Sequence, residues 1–87
     1  MEYKVELKES VVKQLKKMDK SVSSLIMGYI KKNILNSKDP RMFGKALVEN
    51  HKGKWRYRVG DYRILCEIKD EVITVVVIAI GHRRDIY

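Results

Sequence analysis

The stretch KWRYRVGDYRILCEIK, residues 54–69, decides the fold because polar and apolar side chains alternate on both sides of a two-residue turn. Gly60-Asp61 suits this turn, since glycine tolerates the positive φ that tight hairpin turns require at their first central position. The pattern therefore predicts a β-hairpin whose two strands are Lys54–Val59 and Tyr62–Lys69.

The predicted hairpin has an apolar face and a basic face, because successive residues of a strand point to opposite sides of the sheet. The cross-strand pairs that follow from the turn are Val59 with Tyr62, Arg58 with Arg63, Arg56 with Leu65, and Lys54 with Glu67. The apolar face consists of Trp55, Tyr57, Val59, Tyr62, Ile64, Cys66 and Ile68. The basic face carries Lys54, Arg56, Arg58 and Arg63. We expect the apolar face to pack against helices and the basic face to stay uncovered.

The opposed arginines of the basic face leave two interpretations open. Like charges directly across a sheet destabilise it by about 0.2–1 kcal/mol per pair. Arg58 and Arg63 either extend into solvent, where the repulsion is weak, or hold an anion between them. Guanidinium groups suit phosphate because they bind it through two parallel hydrogen bonds.

The residues before the hairpin predict one strand and two helices. Residues 2–7 alternate with a period of two, and from Ser10 apolar residues recur every three or four positions. Asp19 is a suitable cap for a second helix that ends near Asn36. The predicted apolar stripe of this helix is Val22, Leu25, Ile26, Tyr29, Ile30 and Ile34. We expect Gly28 to allow close packing against a neighbour.

The last predicted strand includes residues 72–80, VITVVVIAI, which are apolar on both faces and so typical of a central strand. Strict alternation favours three residues on the side of the basic face: Val76, Ile78 and Ile80. Gly81 can break the alternation, which leaves open whether His82 or Arg83 points inward.

These elements predict an α+β fold in a single domain, residues 1–87. An N-terminal strand and an antiparallel helical hairpin precede a C-terminal antiparallel three-stranded meander, in the order β-α-α-β-β-β. The helices are expected to pack on one face of the sheet. Ala46-Leu47-Val48 is a candidate for a short edge strand.

The charge of the chain narrows the classes of partner. Nineteen Lys and Arg residues stand against eleven Asp and Glu residues, a formal charge of +8 on 87 residues. Such an excess is typical of proteins that bind nucleic acid or an acidic protein, and a basic surface that only aids solubility is the alternative. Cys66 is the only cysteine, which excludes a disulfide framework or a cysteine-based zinc site within one chain.

The sequence shows no sign of secretion or membrane insertion. The first residues, MEYKVELKES, lack the apolar core of a signal peptide, and no apolar run approaches the roughly 18 residues of a membrane span. We therefore expect a cytoplasmic protein with no membrane partner.

Three groups of residues occur together in this chain: Asp39-Pro40-Arg41 with Gly44-Lys45 and Leu47, the hairpin with the preceding Gly53, and the ending GHRRDIY at residues 81–87. Together they resemble the RelE/ParE superfamily of bacterial and archaeal toxins over nearly the whole chain. The joint pattern is specific to this superfamily, whereas the tetrapeptide GDYR alone would be weak support for it.

The resemblance implies a toxin of a type II toxin–antitoxin system. Toxins of the RelE branch cleave messenger RNA in the 30S decoding site of the ribosome, and an acidic antitoxin encoded beside them neutralises them. Members of the ParE branch share the fold but act on DNA gyrase. A ribosome-dependent endoribonuclease is the first hypothesis. A gyrase inhibitor without nuclease activity and an inactive basic binding module of the same fold are the alternatives.

The resemblance also implies a site. The catalytic residues that it implies are Arg56, Arg58, Arg63, Arg83 and Tyr87, to which this chain adds His82. Lys45, Lys54 and Arg84 are expected to bind further RNA phosphates. The chain departs from the family pattern in carrying arginine where lysines occur on the strand, and in a shorter tail with no closing helix. We expect Arg63 and Arg83 to be exposed.

Cleavage of this kind needs no metal or cofactor, because the RNA 2′-hydroxyl can itself attack the adjacent phosphate. Imidazole, whose ordinary pKa is about 6.5, is well tuned to accept a proton near pH 7, so His82 is the predicted general base. Arg83 or a protonated imidazole would assist the leaving oxygen, and Tyr87 would stack on a base or orient the phosphate. The candidates ranked below His82 are Glu49 and Glu67, while His51 is expected to be solvated.

Overall fold

The computed structural model describes residues 1–47 and 54–82, which form two helices and a five-stranded sheet. In chain order the elements are β1 (Lys4–Leu7), α1 (Glu9–Lys17), α2 (Lys20–Tyr29), β2 (Lys45–Ala46), β3 (Lys54–Val59), β4 (Tyr62–Lys69) and β5 (Thr74–His82). The strand order is β1-β5-β4-β3-β2, with β1 parallel to β5 and the other neighbours antiparallel. The predicted α+β fold is therefore confirmed.

The short strand β2 adds an edge to the predicted meander. It pairs antiparallel with β3 through Lys45 opposite Arg56 and Ala46 opposite Trp55. The sequence placed this edge strand at residues 46–48, one residue later than its observed start, and Val48 lies outside the described residues.

The helices bury an isoleucine stripe against the sheet. Ile26, Ile30 and Ile34 are at most 2% exposed, and Val11 of α1 joins them in the core. This spacing of four residues keeps the three side chains on one side of the helix. Leu25, predicted on the same stripe, is 56% exposed, because it lies about 100° around the helix from Ile26.

Of three further expectations for α2, the one for Gly28 is wrong. Asp19 lies at the N-cap position as expected, but its side chain makes no capping hydrogen bond and instead accepts one from Ser21 Oγ at 3.1 Å. A Cβ built at Gly28 meets no described atom within 4 Å, so no neighbour packs closely there. The helix continues as a π-helical turn, Ile30–Ile34, and ends before Asn36, whose φ of 63° is not helical.

The sheet buries the predicted apolar face of the hairpin. Tyr57, Ile64 and Cys66 are fully buried, and the four predicted cross-strand pairs are all present in the predicted register. Gly60 has a φ of 58°, as the turn requires. Burial raises the pKa of the Cys66 thiol, which keeps it protonated and unreactive.

A β-bulge shifts the alternation of β5. Cys66 pairs with Val77 and Leu65 pairs with Ala79, so one extra residue of β5 lies between the two pairs. Beyond it, Ile80 pairs with Ile64 and is buried in the core. The expectation that Ile80 lies on the side of the basic face is therefore wrong, because the bulge returns it to the side of the helices.

A polar cluster on the surface ties three distant segments together. Tyr3 Oη donates a hydrogen bond to Asp70 Oδ1 at 2.6 Å, and the Arg41 guanidinium donates to both Asp70 oxygens at 2.9 Å. The hydrogen bonds from Arg41 and then from Tyr3 lower the pKa of Asp70 to about 2. The cluster holds the turn Pro40–Met42 against β1 and the connection between β4 and β5.

We expect the Asp70 cluster to make the stability of the fold depend on pH. The pKa of Asp70 is lowered in the folded state, so the cluster stabilises fully above about pH 4 and is lost as the pH falls toward 2. Asp70→Asn should lower the urea midpoint of unfolding at pH 7. Between pH 4 and pH 2 the midpoint of this variant should fall less steeply than that of the parent. Glu71→Gln, a change in the same turn, should keep the parental profile. Parallel profiles for Asp70→Asn and the parent would contradict this role.

Candidate functional site

The basic face of the sheet brings together side chains from three strands. Lys45 of β2 lies opposite Arg56 of β3, and Arg58 of β3 lies opposite Arg63 of β4. Arg58 is exposed, whereas Arg56 and Arg63 are half-buried and the Nε atom of Arg63 is inaccessible to solvent. The expectation that Arg63 is exposed is therefore wrong.

A cleft of about 250 Å³ opens at the edge of β3, next to the short strand β2. Its lining residues are Tyr29, Phe43, Gly44, Lys45, Arg56 and Arg58. Three of these six carry positive charge and none is acidic, so the cleft has the electrostatics of an anion site.

Gly44 lies in the wall of this cleft, directly against the backbone of β3. Gly44 has a φ of 82°, and a Cβ there would lie 2.3 Å from the carbonyl oxygen of Arg56 and 2.7 Å from Nε1 of Trp55. No other amino acid fits this position without movement of the β3 backbone. Gly44 thereby brings Lys45 and Phe43 alongside the arginines.

Two aromatic residues of the apolar face fasten the same segment. Trp55 Nε1 donates a hydrogen bond to the carbonyl of Phe43 at 2.7 Å, and Tyr57 Oη donates to the carbonyl of Pro40 at 2.6 Å. Burial raises the pKa of Tyr57, which keeps this phenol a neutral donor. Sequence reasoning assigned both rings to the core alone. It missed that their polar ends position the cleft wall, and the one available signal was Gly44 in the motif that precedes the hairpin.

Lys54 and Glu67 form an ion pair away from the cleft. The Lys54 ammonium donates a hydrogen bond to Glu67, and Lys69 Nζ lies 3.6 Å from the other carboxylate oxygen. The hydrogen bond from Lys54 lowers the pKa of the Glu67 carboxyl below its ordinary value. Glu67 is therefore a weaker base than an ordinary glutamate.

His82 does not lie on the basic face. It pairs with Tyr62 at the end of β5, and the two rings meet edge to face with their centroids 5.6 Å apart. Arg63 pairs instead with Gly81, one position earlier, so the arginine and the imidazole point to opposite sides of the sheet. The question that the sequence left open is thus answered for His82, which faces the side of the helices.

Several predicted site residues fall outside the described residues. They are Arg83, Arg84 and Tyr87 of the tail, together with Glu49 and His51. The structure thus brings together Lys45, Arg56, Arg58 and Arg63. Lys54 lies on the same face but outside the cleft, in an ion pair with Glu67, and His82 lies on the opposite face.

Within residues 1–47 and 54–82, no group of three or more His, Cys, Asp or Glu side chains is arranged to hold a metal ion. None of the helices in the same ranges has the length and apolar character needed to cross a lipid bilayer.

The sequence matches a family model over nearly its whole length. Residues 5–87 match the model for the ParE toxin of the type II toxin–antitoxin system parDE. The chain is also 43% identical over 51 residues to Toxin RelG of Mycobacterium tuberculosis. This match covers 59% of this chain and 59% of the length of that toxin.

Solved structures share the whole fold. The toxin–antitoxin complex RelBE2 from Mycobacterium tuberculosis contains a chain that superposes with a TM-score of 0.84 at 27% identity, over 98% of this chain and 95% of that one. The free E. coli toxin RelE, solved as a mutant, gives a TM-score of 0.75 at 20% identity, over 94% and 84% of the two chains. The archaeal RelE–RelB complex from Pyrococcus horikoshii OT3 gives 0.69 at 20% identity, over 98% and 99%.

We expect Gly44→Ala to destabilise the protein by about 2 kcal/mol, because the new Cβ would meet the Arg56 carbonyl at a φ that favours glycine. Gly28→Ala is the matched control. It should stabilise the protein by up to about 1 kcal/mol, since its Cβ meets open space inside a helix. Urea unfolding followed by circular dichroism measures both, and equal effects at the two glycines would contradict the close approach at Gly44.

Proposed function

This chain belongs to the family of ParE toxins of type II toxin–antitoxin systems, and we propose that it acts as a ribosome-dependent endoribonuclease that cleaves messenger RNA. The observation that carries this proposal is the concentration of Lys45, Arg56, Arg58 and Arg63 on one rigid face of the sheet. Guanidinium groups held in this way suit a phosphodiester and the charge that develops on it.

The proposed reaction uses the RNA's own nucleophile. The 2′-oxygen of one nucleotide forms a bond to the adjacent phosphorus, and the bond from phosphorus to the 5′-oxygen breaks. One proton leaves the 2′-hydroxyl and another reaches the 5′-oxygen, giving a 2′,3′-cyclic phosphate and a 5′-hydroxyl. The protein must align the attack, transfer these protons and stabilise the phosphorane. No metal or cofactor enters this scheme.

The arginines have separate parts in the proposal. Arg58 and Arg63, which lie opposite each other, would hold the scissile phosphate, and Arg56 with Lys45 would hold the neighbouring one along the cleft. From the tail, we propose that Arg83 stabilises the leaving oxygen, that Arg84 binds a further phosphate and that Tyr87 stacks on a base.

The proton acceptor is a separate question, because His82 and Arg63 face opposite sides of the sheet. His82 lies at the end of β5, one residue beyond the partner of Arg63, and it can serve as the proposed general base for an RNA that bends around this strand end. Glu67 is disfavoured in this part, since its hydrogen bond to Lys54 lowers its pKa.

We propose an acidic antitoxin as the protein partner and the 30S decoding site as the place of action. Several solved relatives are toxin–antitoxin complexes, and a net charge of +8 favours an acidic partner and ribosomal RNA alike. The proposed location is the cytoplasm, where translation takes place.

A second candidate function is inhibition of DNA gyrase, and it is favoured by the family model, which is described for ParE toxins. The two activities are separated by a supercoiling assay with purified gyrase beside a cleavage assay with ribosomes carrying a message. The endoribonuclease proposal expects cut message and unaffected supercoiling. Intact message with blocked supercoiling would replace it by the gyrase function.

Arg58→Ala should slow the cleavage of ribosome-bound message by about 100-fold or more, as the loss of one donor to a developing oxyanion does elsewhere. Arg58 is exposed, so the variant should keep the parental circular dichroism spectrum and urea midpoint. Lys13→Ala removes one exposed positive charge from α1 and should cleave at nearly the parental rate. A folded Arg58→Ala variant that cleaves at the parental rate would exclude this site.

His82→Phe should slow cleavage at pH 7 by about 100-fold if the imidazole accepts the proton, although the new ring can still pack against Tyr62. The control is Tyr62→Leu, which removes the ring contact and keeps the imidazole. If His82→Phe cleaved at the parental rate and Tyr62→Leu cleaved more slowly, the role of His82 would be packing against Tyr62 and not proton transfer.

A further inference from the structure

We propose that Phe43 and Tyr29 form a stacking site for one base of a single-stranded RNA whose phosphates lie on Arg56 and Arg58. The inference rests on the proposed function and deepens it, since it adds a second base contact to the one proposed for Tyr87. Both rings and both arginines line the same cleft of about 250 Å³.

The first support is the position of Phe43. Phe43 is 42% exposed, so a ligand in the cleft can reach its ring. Phe43 lines the cleft together with Arg56 and Arg58. An apolar ring thus lies in the same cleft as two guanidinium groups.

The second support is that the protein holds this ring in place. The carbonyl of Phe43 accepts the hydrogen bond from Trp55 Nε1, and the following Gly44 is locked against the backbone of β3. Tyr29 is half-buried, with its ring centroid 6.1 Å from that of Tyr57. Two anchored rings lose little conformational entropy when a ligand binds.

The third support is the mixture of chemistry in the cleft. Two aromatic rings and three cations line it, and none of the six lining residues is acidic. Stacking rings next to backbone-binding cations are the usual means of holding single-stranded RNA, because every base offers a flat face and every linkage a negative charge. The volume is below that of a site for a drug-sized ligand, which suits a single base.

The test uses the fact that Phe43 is the only phenylalanine of the chain. Protein labelled with 4-fluorophenylalanine gives one fluorine resonance, which reports on this ring alone. It is titrated at low salt with a short single-stranded RNA and with an abasic ribose-phosphate oligomer of the same length and charge. We expect the resonance to shift with the RNA, and the RNA to bind on the order of tenfold more tightly than the abasic oligomer.

Three variants sharpen this result. Phe43→Leu should abolish the preference for RNA over the abasic oligomer, and Phe43→Trp should keep it. Met42→Leu, a change at the neighbouring residue, which is 70% exposed and does not line the cleft, should leave it unchanged. Equal affinity for the two oligomers, or binding of neither, would overturn the stacking site. It would also be overturned if Phe43→Leu weakened binding of the antitoxin and left the RNA preference intact.

Cleavage assays on ribosome-bound message, run with the same variants, test the stacking site separately from the proposed endoribonuclease activity. Tighter binding of RNA than of the abasic oligomer, without any cleavage, would support the stacking site and contradict the endoribonuclease proposal. Cleavage by a protein that binds the abasic oligomer as tightly as RNA would support the endoribonuclease proposal and contradict the stacking site.

Discussion

A one-residue slip in the pairing of β3 with β4 would place the apolar residues of the two strands on opposite faces of the sheet, so that either Tyr57 or Ile64 would turn into solvent. The pairing is fixed by the Gly60-Asp61 turn and by the burial of alternate residues, since only one register buries the apolar set. The same constraint that builds the core therefore also presents the arginines. The basic face is a consequence of how the hairpin folds.

The two sides of the hairpin are also linked through the edge of the sheet. Trp55 and Tyr57 contribute their rings to the side of the helices, while their polar atoms hold the carbonyls of Phe43 and Pro40. Gly44 completes this attachment by letting the chain run directly against β3. Loss of either ring would disturb the cleft as well as the core, so stability and site geometry are coupled in this protein.

The hairpin could be predicted from sequence because its information is local. Turn chemistry and alternation lie within sixteen consecutive residues, and the pairing that they imply, including Arg58 opposite Arg63, is the one observed. The isoleucine stripe of α2 follows in the same way from spacing alone. The candidate phosphate-binding face could therefore be named before the structure was known.

What sequence reasoning missed depends on distant contacts. The strand VITVVVIAI is apolar on both faces, so nothing in it marks where the bulge inserts a residue, and the side on which Ile80 and His82 lie follows from that bulge. The open surroundings of Gly28 and the crowded surroundings of Gly44 are equally invisible in the sequence. The parts proposed for Arg83 and Tyr87 rest on resemblance, since both lie outside the described residues.

The most direct test of the central claim is a single-atom change in the RNA. Ribosomes would be programmed with a message in which the nucleotide on the 5′ side of a mapped cut carries a 2′-deoxyribose, and the purified protein would be added. If the 2′-hydroxyl is the nucleophile, cleavage should disappear at that position and persist at unmodified ones, where the upstream product ends in a 2′,3′-cyclic phosphate. Undiminished cleavage at the deoxy position would contradict the proposed mechanism.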